Sequence, residues 1–141
     1  MSFDVLGDLN WLAVVVAAIA FFALGALWYA PPVFGRAWER SSGIEIPEGQ
    51  QPGMAFYLGP LATCLLSTIA TAMLAVVTGT DTFGEAIVLA LVVGIGYAAA
   101  VAFVGGIFDT HKPQPMMWFA IFSGYQVVGL IIVATIVALW D

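Results

Sequence analysis

The fold of this chain is decided by uncharged stretches such as residues 10–30, NWLAVVVAAIAFFALGALWYA, which contain no Asp, Glu, Lys, Arg or His. The gaps between its charged residues include four long ones, over residues 9–35, 49–80, 86–108 and 113–140. Each gap exceeds the roughly 20 residues that a helix needs to cross a bilayer. The sequence therefore predicts four membrane spans, at about residues 10–30, 54–78, 83–108 and 116–140.

The composition of the chain excludes several classes of protein. Apolar residues make up 62% of the chain and charged residues 9%, whereas about a quarter of the residues of a soluble domain are charged. Three Lys and Arg residues and one Cys do not suit a nucleic-acid partner or a disulfide-stapled domain. Nearly continuous apolar runs at residues 87–93 and 131–137 favour helices over barrel strands, which alternate polar and apolar residues. We expect one all-α transmembrane domain over residues 1–141, an up-down bundle of four helices.

The few charges also predict the orientation in the membrane. With four spans, both termini and the turn at residues 79–82 lie on one side, and the two other loops lie on the opposite side. All the basic residues, Arg36, Arg40 and Lys112, fall in those two loops. Because Lys and Arg are retained on the cytoplasmic side, both termini are predicted to be extracytoplasmic. No Lys or Arg precedes the first span, so we expect it to stay in the mature protein rather than to be a cleaved signal peptide.

Two of the three connections between the spans are short, and the first, over residues 31–53, is longer. Pro31 and Pro32 end the first helix, because proline removes a backbone donor and restricts the residue before it. Residues 33–41 can place apolar side chains on one face and Arg36, Glu39 and Arg40 elsewhere, which predicts a short helix in the membrane interface. The alternative is a solvated loop that contains a Trp. The connections at residues 79–82 and 109–115 predict antiparallel hairpins.

Small residues recur every four positions in the second and third spans. Close approach through small side chains drives much of the association of helices in lipid. The spacing therefore predicts helix-packing ridges, either between the helices of one protomer or in a homo-oligomeric interface. The ridge residues are Gly59, Thr63, Ser67, Thr71 and Ala75 in the second span and Ala90, Gly94, Ala98, Ala102 and Gly106 in the third.

Apart from Glu85 at the start of the third span, the predicted spans contain no Asp, Glu, Lys, Arg or His, which argues against an ion-coupled pump. The most polar candidates within them are Gln126, Tyr97 and Tyr125, with the hydroxyl residues of the second span, and we expect them to form interhelical hydrogen bonds. Cys64 is expected to be inert in its apolar setting. We find no catalytic constellation, cofactor motif or set of metal ligands in the sequence.

The densest group of unusual residues lies at the predicted cytoplasmic ends of the spans, and we call it the rim. Aromatic and basic side chains together suit a lipid headgroup or a partner helix; equally, they suit anchoring of the bundle in the interface. The rim residues are Trp28, Tyr29, Phe34, Arg36, Trp38, Asp109, His111 and Lys112.

Several of these residues belong to longer motifs. The segments NWLAV at residues 10–14, GALWYAP at 25–31 and FGRAW at 34–38, with GYQVVGL at 124–130 and ALW at 138–140, resemble the bacterial membrane protein family called domain of unknown function 1761. Ala30 and Arg36 stand where that family often has Ser and Lys. The resemblance implies four membrane helices in a bacterial inner membrane, and it brings no established activity, cofactor or site residues.

The sequence therefore favours a non-enzymatic interaction or assembly protein that uses its rim. The alternative is a small oligomeric transporter or channel for an apolar or cationic compound, and an enzyme acting on lipid is a third interpretation. The partners that we expect are membrane lipids and either a second copy of the chain or another membrane protein. No cofactor is expected.

Overall fold

The computed structural model describes residues 1–47 and 49–140, and these residues form helices and loops without any β-strand. A 3-10 turn at Phe3–Gly7 precedes the first span. The helices are α1 (Trp11–Trp28), α2 (Arg36–Ser42), α3 (Ala55–Thr78), α4 (Phe83–Val93), α5 (Ala100–Ile107) and α6 (Pro115–Leu139). Two π-helical segments, Pro31–Gly35 and Gly94–Ala99, lead into α2 and α5.

Within the described residues, four helices are long and apolar enough to cross a membrane, which confirms the predicted all-α fold with four spans. They are α1, α3, α6 and the continuous third span Phe83–Ile107, in which the Gly94–Ala99 segment joins α4 to α5. The short helix predicted after the first span is present as α2, and it begins three residues later than expected because Pro31–Gly35 forms a π turn. Asp141, at the end of the predicted domain, lies outside the described residues, as does Glu48.

Local sequence signals set the helix ends. The Asn10 side chain accepts a hydrogen bond from the Ala13 N–H and so caps α1, a role that Asn favours because its oxygen satisfies a free backbone donor. Thr82 and Glu85 form a reciprocal capping box at the start of α4. Gly79 ends α3 at φ 65°, a left-handed conformation that glycine adopts without steric cost. Hydrogen bonds and backbone conformations within residues 79–85 therefore fix the turn between α3 and α4.

The central element of the bundle is α6. In the most apolar stretch of α6, 39% of the residues are buried inside the protein, compared with 17% in the third span. The helix α6 also contacts α1, α2, α3 and each part of the third span. The Phe21 ring of α1 packs against Gly129 of α6 so closely that a Cβ at Gly129 would lie 2.0 Å from Phe21 Cε2. The bundle is thus organised around α6.

The helices α3 and the third span run antiparallel but touch each other little, and their few contacts involve α4. Both pack instead against α6, which leaves an open groove between them with α6 as its floor. The short turn at residues 79–82 sets the direction of the two helices without packing them along their length.

The ridge residues of the third span are placed towards α6. Gly94 lies against Val127, Gly106 lies against Trp118, Ala90 and Ala102 are buried, and Ala98 is half-buried. The ridge of α3 divides along its length. Thr71 and Ala75 are buried, Ser67 is half-buried, and Gly59 and Thr63 are exposed.

Candidate functional site

The aromatic residues of the rim pack against one another at one end of the bundle. We call this the basic end, because it carries α2 and the loop before α6 with Arg36, Arg40 and Lys112. The Trp28 and Phe34 ring centroids lie 4.7 Å apart, and the Trp38 ring meets the edge of Tyr29 at 5.7 Å. These pairs hold the π turn and α2 against the end of α1.

Tyr125 of α6 joins this aromatic cluster to the core of the bundle. Its ring lies 5.4 Å from Tyr29 and 5.1 Å from Phe21. Its hydroxyl donates to the Phe21 carbonyl at 3.3 Å and lies 3.3 Å from the Cys64 sulfur. In addition, the Trp28 indole N–H donates to the Ile121 carbonyl at 3.0 Å. The Tyr125 hydroxyl and the Trp28 indole N–H are therefore both used in hydrogen bonds within the protein.

Gly35, within the FGRAW motif, is required by the π turn. Its N–H donates to the Ala30 carbonyl at 3.0 Å, and a Cβ at this position would lie 2.3 Å from the Tyr29 carbonyl oxygen. Only glycine allows this approach. The segment Pro31–Gly35 therefore sets the direction of α2 relative to α1.

The loop before α6 forms a second, polar cluster. The Lys112 ammonium donates to the Asp109 carboxylate and lies 4.5 Å from the centre of the Trp118 ring, a cation–π contact. The Asp109 carboxylate also accepts the His111 N–H at 3.0 Å. Two hydrogen bonds lower the pKa of Asp109 to about 2. The bond from Lys112 has the larger effect, and the bond from the His111 N–H has the smaller. Asp109 is consequently ionised at neutral pH, and its charge is balanced by Lys112.

The two clusters meet through backbone contacts. The Gln114 N–H donates to the Ser41 carbonyl at 3.4 Å. Gly43, at φ 74°, approaches the His111 carbonyl and the Pro113 ring so closely that a Cβ would lie 3.2 Å from each. The structure thus brings the two halves of the rim together at one end.

Two side chains of α2 point away from this assembly. Arg36 and Arg40 are exposed, and neither forms an ion pair with any carboxylate of residues 1–47 and 49–140. His111 is also exposed. The free cationic surface of the basic end is therefore carried by α2.

A second candidate site is the groove between α3 and the third span, which has a volume of about 600 Å³. Ser67 and Thr71 line it from α3, Tyr97 from the third span, and Gln126 from α6. Trp118 and Phe122 lie on its floor, with their rings stacked at 5.2 Å and inclined by 10°. Four of the polar residues singled out within the spans therefore meet on one surface, namely Ser67, Thr71, Tyr97 and Gln126.

Sequence reasoning missed two features of these sites. The sequence predicts an interhelical hydrogen bond for Tyr125, but it does not identify Cys64 of α3, which lies 3.3 Å from the Tyr125 hydroxyl, as a partner. The groove was missed because it depends on which faces of α3 and the third span turn towards α6. The recurrence of Ser67 and Thr71 one turn apart on α3 was the available signal for its polar lining.

The fold defines a multi-pass helical membrane protein. The model of the family described as "Protein of unknown function (DUF1761)" matches residues 12–138, so the chain belongs to this family, as the motifs around Trp28 and Gly124 suggest. No curated protein and no solved structure matches the chain.

Proposed function

We propose that this protein is a non-enzymatic assembly protein of a bacterial inner membrane, which binds a membrane protein partner through its basic end. The observation that carries the proposal is the fixed position of α2. Aromatic contacts and the Gln114–Ser41 backbone bond hold this helix against the bundle, while Arg36 and Arg40 remain exposed. A surface that is ordered before binding loses less conformational entropy when a partner binds.

The charge of this surface indicates the chemistry of the partner. Lys112 is neutralised locally by Asp109, whereas the two guanidinium groups of α2 have no carboxylate partner among the described residues. Arginine binds carboxylates through a planar pair of N–H donors. We expect the partner to present an acidic segment at the cytoplasmic membrane surface, which agrees with the orientation that the basic residues predict.

The test is a charge reversal on α2. Arg36→Glu with Arg40→Glu should reduce recovery of the partner by roughly tenfold after mild crosslinking in intact cells, because like charges repel across the interface. Arg36→Lys with Arg40→Lys is the matched control that keeps the charge, and it should lose much less recovery than the charge reversal, since lysine still attracts carboxylates but without the planar pair of donors. Trp38→Ala is less informative, since Trp38 packs on Tyr29 and its loss would disturb the fold.

The outcome of this test is read against stability. The thermal unfolding midpoint of the charge-reversed protein should equal that of the native protein, since both arginines are exposed. A midpoint that is unchanged together with full recovery of the same partner would refute the proposal. The proposal would also be refuted if no protein is recovered with the native protein in a constant ratio to it.

A second candidate function is transport of an apolar or cationic compound by a small oligomer, and the groove favours it. Ser67 and Thr71 lie on the wall of the groove, so Ser67→Phe should block flux of a transported compound in liposomes. Leu66→Phe is the matched control, because Leu66 is exposed on the same helix and does not line the groove. Equal flux through both variants and the native protein would contradict transport through this groove.

A further inference from the structure

The groove places polar groups from three helices at a single depth in the membrane. Ser67, Tyr97 and Gln126 each lie ten to twelve residues from the end of their span that belongs to the basic end, that is, from Ala55, Ile107 and Pro115. At about 1.5 Å per residue this is roughly 15–18 Å. The hydrocarbon core of a bilayer is about 30 Å thick, so the three side chains lie near its middle.

Two of these groups lack a partner within the described residues. Neither the Tyr97 hydroxyl nor the Gln126 amide forms a hydrogen bond there, whereas the Thr71 hydroxyl on the same surface donates to the Ser67 carbonyl at 2.8 Å. Tyr97 is 71% exposed. Polar groups that face hydrocarbon without a partner cost free energy. Their position indicates a partner that reaches this depth from the membrane.

The shape of the groove suits a small molecule. Its volume of about 600 Å³ lies within the range of roughly 300–1,000 Å³ that small-molecule sites occupy. Small side chains such as Ala70, Ala98 and Gly105 form its walls, and the stacked rings of Trp118 and Phe122 form part of its floor. An apolar body can therefore lie along the rings while a polar head meets the groups at mid-depth.

The lining also defines the charge and the hydrogen-bonding of the ligand. Among the residues that the structure describes, no Asp, Glu, Lys, Arg or His lines the groove, so a charged ligand would meet no counter-charge from them at mid-membrane, where charge is most costly. The Gln126 amide and the Tyr97 hydroxyl are donors as well as acceptors. Their donors suit carbonyl oxygens, which accept hydrogen bonds and carry no charge.

The backbone is irregular at the same place. In the π-helical segment Gly94–Ala99, which contains Tyr97, the Ala100 N–H donates to the Ile95 carbonyl five residues earlier. Such segments occur frequently at functional sites, because the extra residue redirects the side chains that follow. The segment lies in the third span, which is the least buried of the four. It provides a local reason for the position of Tyr97.

We propose that the groove binds an uncharged, lipid-soluble molecule whose carbonyl-bearing head meets Gln126 and Tyr97 and whose apolar body lies along Trp118 and Phe122. The site is distinct from the exposed arginines of α2, although Trp118, which lines it, also contacts Lys112 of the basic end. This proposal uses the same groove as the second candidate function, transport. A ligand can bind there whether or not the protein transports it.

The test uses a benzoquinone that carries a ten-carbon alkyl chain as the probe. The native protein is placed in lipid nanodiscs, and quenching of tryptophan fluorescence is followed as the probe is added, because Trp118 lies in the groove. Quenching should saturate, and an excess of decylbenzene, which has the same chain and no carbonyl, should not reverse it. Thermal unfolding midpoints establish that each variant is folded.

Matched variants locate the binding. Ala98→Leu fills the groove and should weaken binding by roughly tenfold or more, whereas Ala100→Leu, on an exposed position two residues away that does not line the groove, should leave it unchanged. Gln126→Leu and Tyr97→Phe each remove hydrogen-bonding groups and should weaken binding by about three- to tenfold.

Several outcomes would overturn the proposal. Quenching that does not saturate, or that Ala98→Leu leaves unchanged, removes the site. Displacement by decylbenzene, with no effect of Gln126→Leu, means that acyl chains fill the groove without recognition of a carbonyl. A dimer that Ala98→Leu dissociates and Ala100→Leu does not means that a second copy covers it. Binding of the probe without any flux would refute transport alone and support the binding site.

Discussion

The Thr68 hydroxyl is fully buried on α3 and has no hydrogen-bond partner among the described residues. A buried hydroxyl without a partner costs more than the methyl group of the same shape that valine would supply. We expect Thr68→Val to stabilise the protein by about 1 kcal/mol, which corresponds to a rise of roughly 3–4 °C in the thermal unfolding midpoint.

Thr71→Val is the control for this prediction. The Thr71 hydroxyl donates to the Ser67 carbonyl at 2.8 Å, so its removal takes away a hydrogen bond and should give no increase in the midpoint. A lower midpoint for Thr68→Val than for the native protein, measured in the same detergent, would show that the Thr68 hydroxyl has a partner in the membrane.

Individual residues of the rim could be located from the sequence better than their contacts could. The sequence predicts that Trp28 and Trp38 lie at a membrane boundary, because indole rings prefer it, and in the structure the two residues lie at the same end of the bundle. Whether such a ring anchors the protein in lipid or packs inside it depends on the neighbours that the fold supplies. In this protein the neighbouring ring is Phe34 for Trp28 and Tyr29 for Trp38. No local sequence pattern predicts these pairs.

At the scale of the helices, the contact between α1 and α6 is the most constrained. Gly129→Ala would place a Cβ 2.0 Å from Phe21 Cε2, so the ring or the helices must move. Overpacking of this kind costs about 1–3 kcal/mol. We expect the thermal unfolding midpoint to fall by several degrees.

Two further variants check this expectation. Gly59→Ala in α3 has open space around the new Cβ, and it should leave the midpoint unchanged or raise it, since alanine favours helix. Phe21→Leu combined with Gly129→Ala should recover part of the loss, because leucine lacks the ring Cε2 and Cζ atoms that lie near the new Cβ. A single variant Gly129→Ala as stable as the native protein would contradict the close packing.

The number and length of the helices could be predicted because crossing a bilayer requires an uncharged stretch of a given length, and residues such as Asn10, Pro31 and Gly79 mark the ends. The faces of the helices could not be predicted in the same way. The spans are apolar on all sides, so a hydrophobic face does not identify the interior. The openness between α3 and the third span, and with it the grouping of Tyr97 and Gln126, is therefore visible only in the structure.

For the whole molecule, we predict that both termini lie outside the cytoplasm. Arg36, Arg40 and Lys112 lie together at the basic end. The start of α1, which Asp4 and Asp8 precede, and the end of α6 at Leu139 lie at the other end. An alkaline phosphatase fused after residue 141 should be active, and a fluorescent protein fused there should stay dark, because the first folds only outside the cytoplasm and the second fails to fold after export. The opposite pair of results would reverse the orientation.

The central position of α6 also has a consequence for the synthesis of the protein. Because α6 follows the other spans in the chain and contacts all of them, the first three spans enter the membrane before the helix that they pack against has been made. Until α6 has been made, the Phe21 ring cannot pack against Gly129, and the ridge of the third span faces lipid. A chain that stops before α6 is therefore left without its core, and membrane proteases that recognise unassembled helices should remove it.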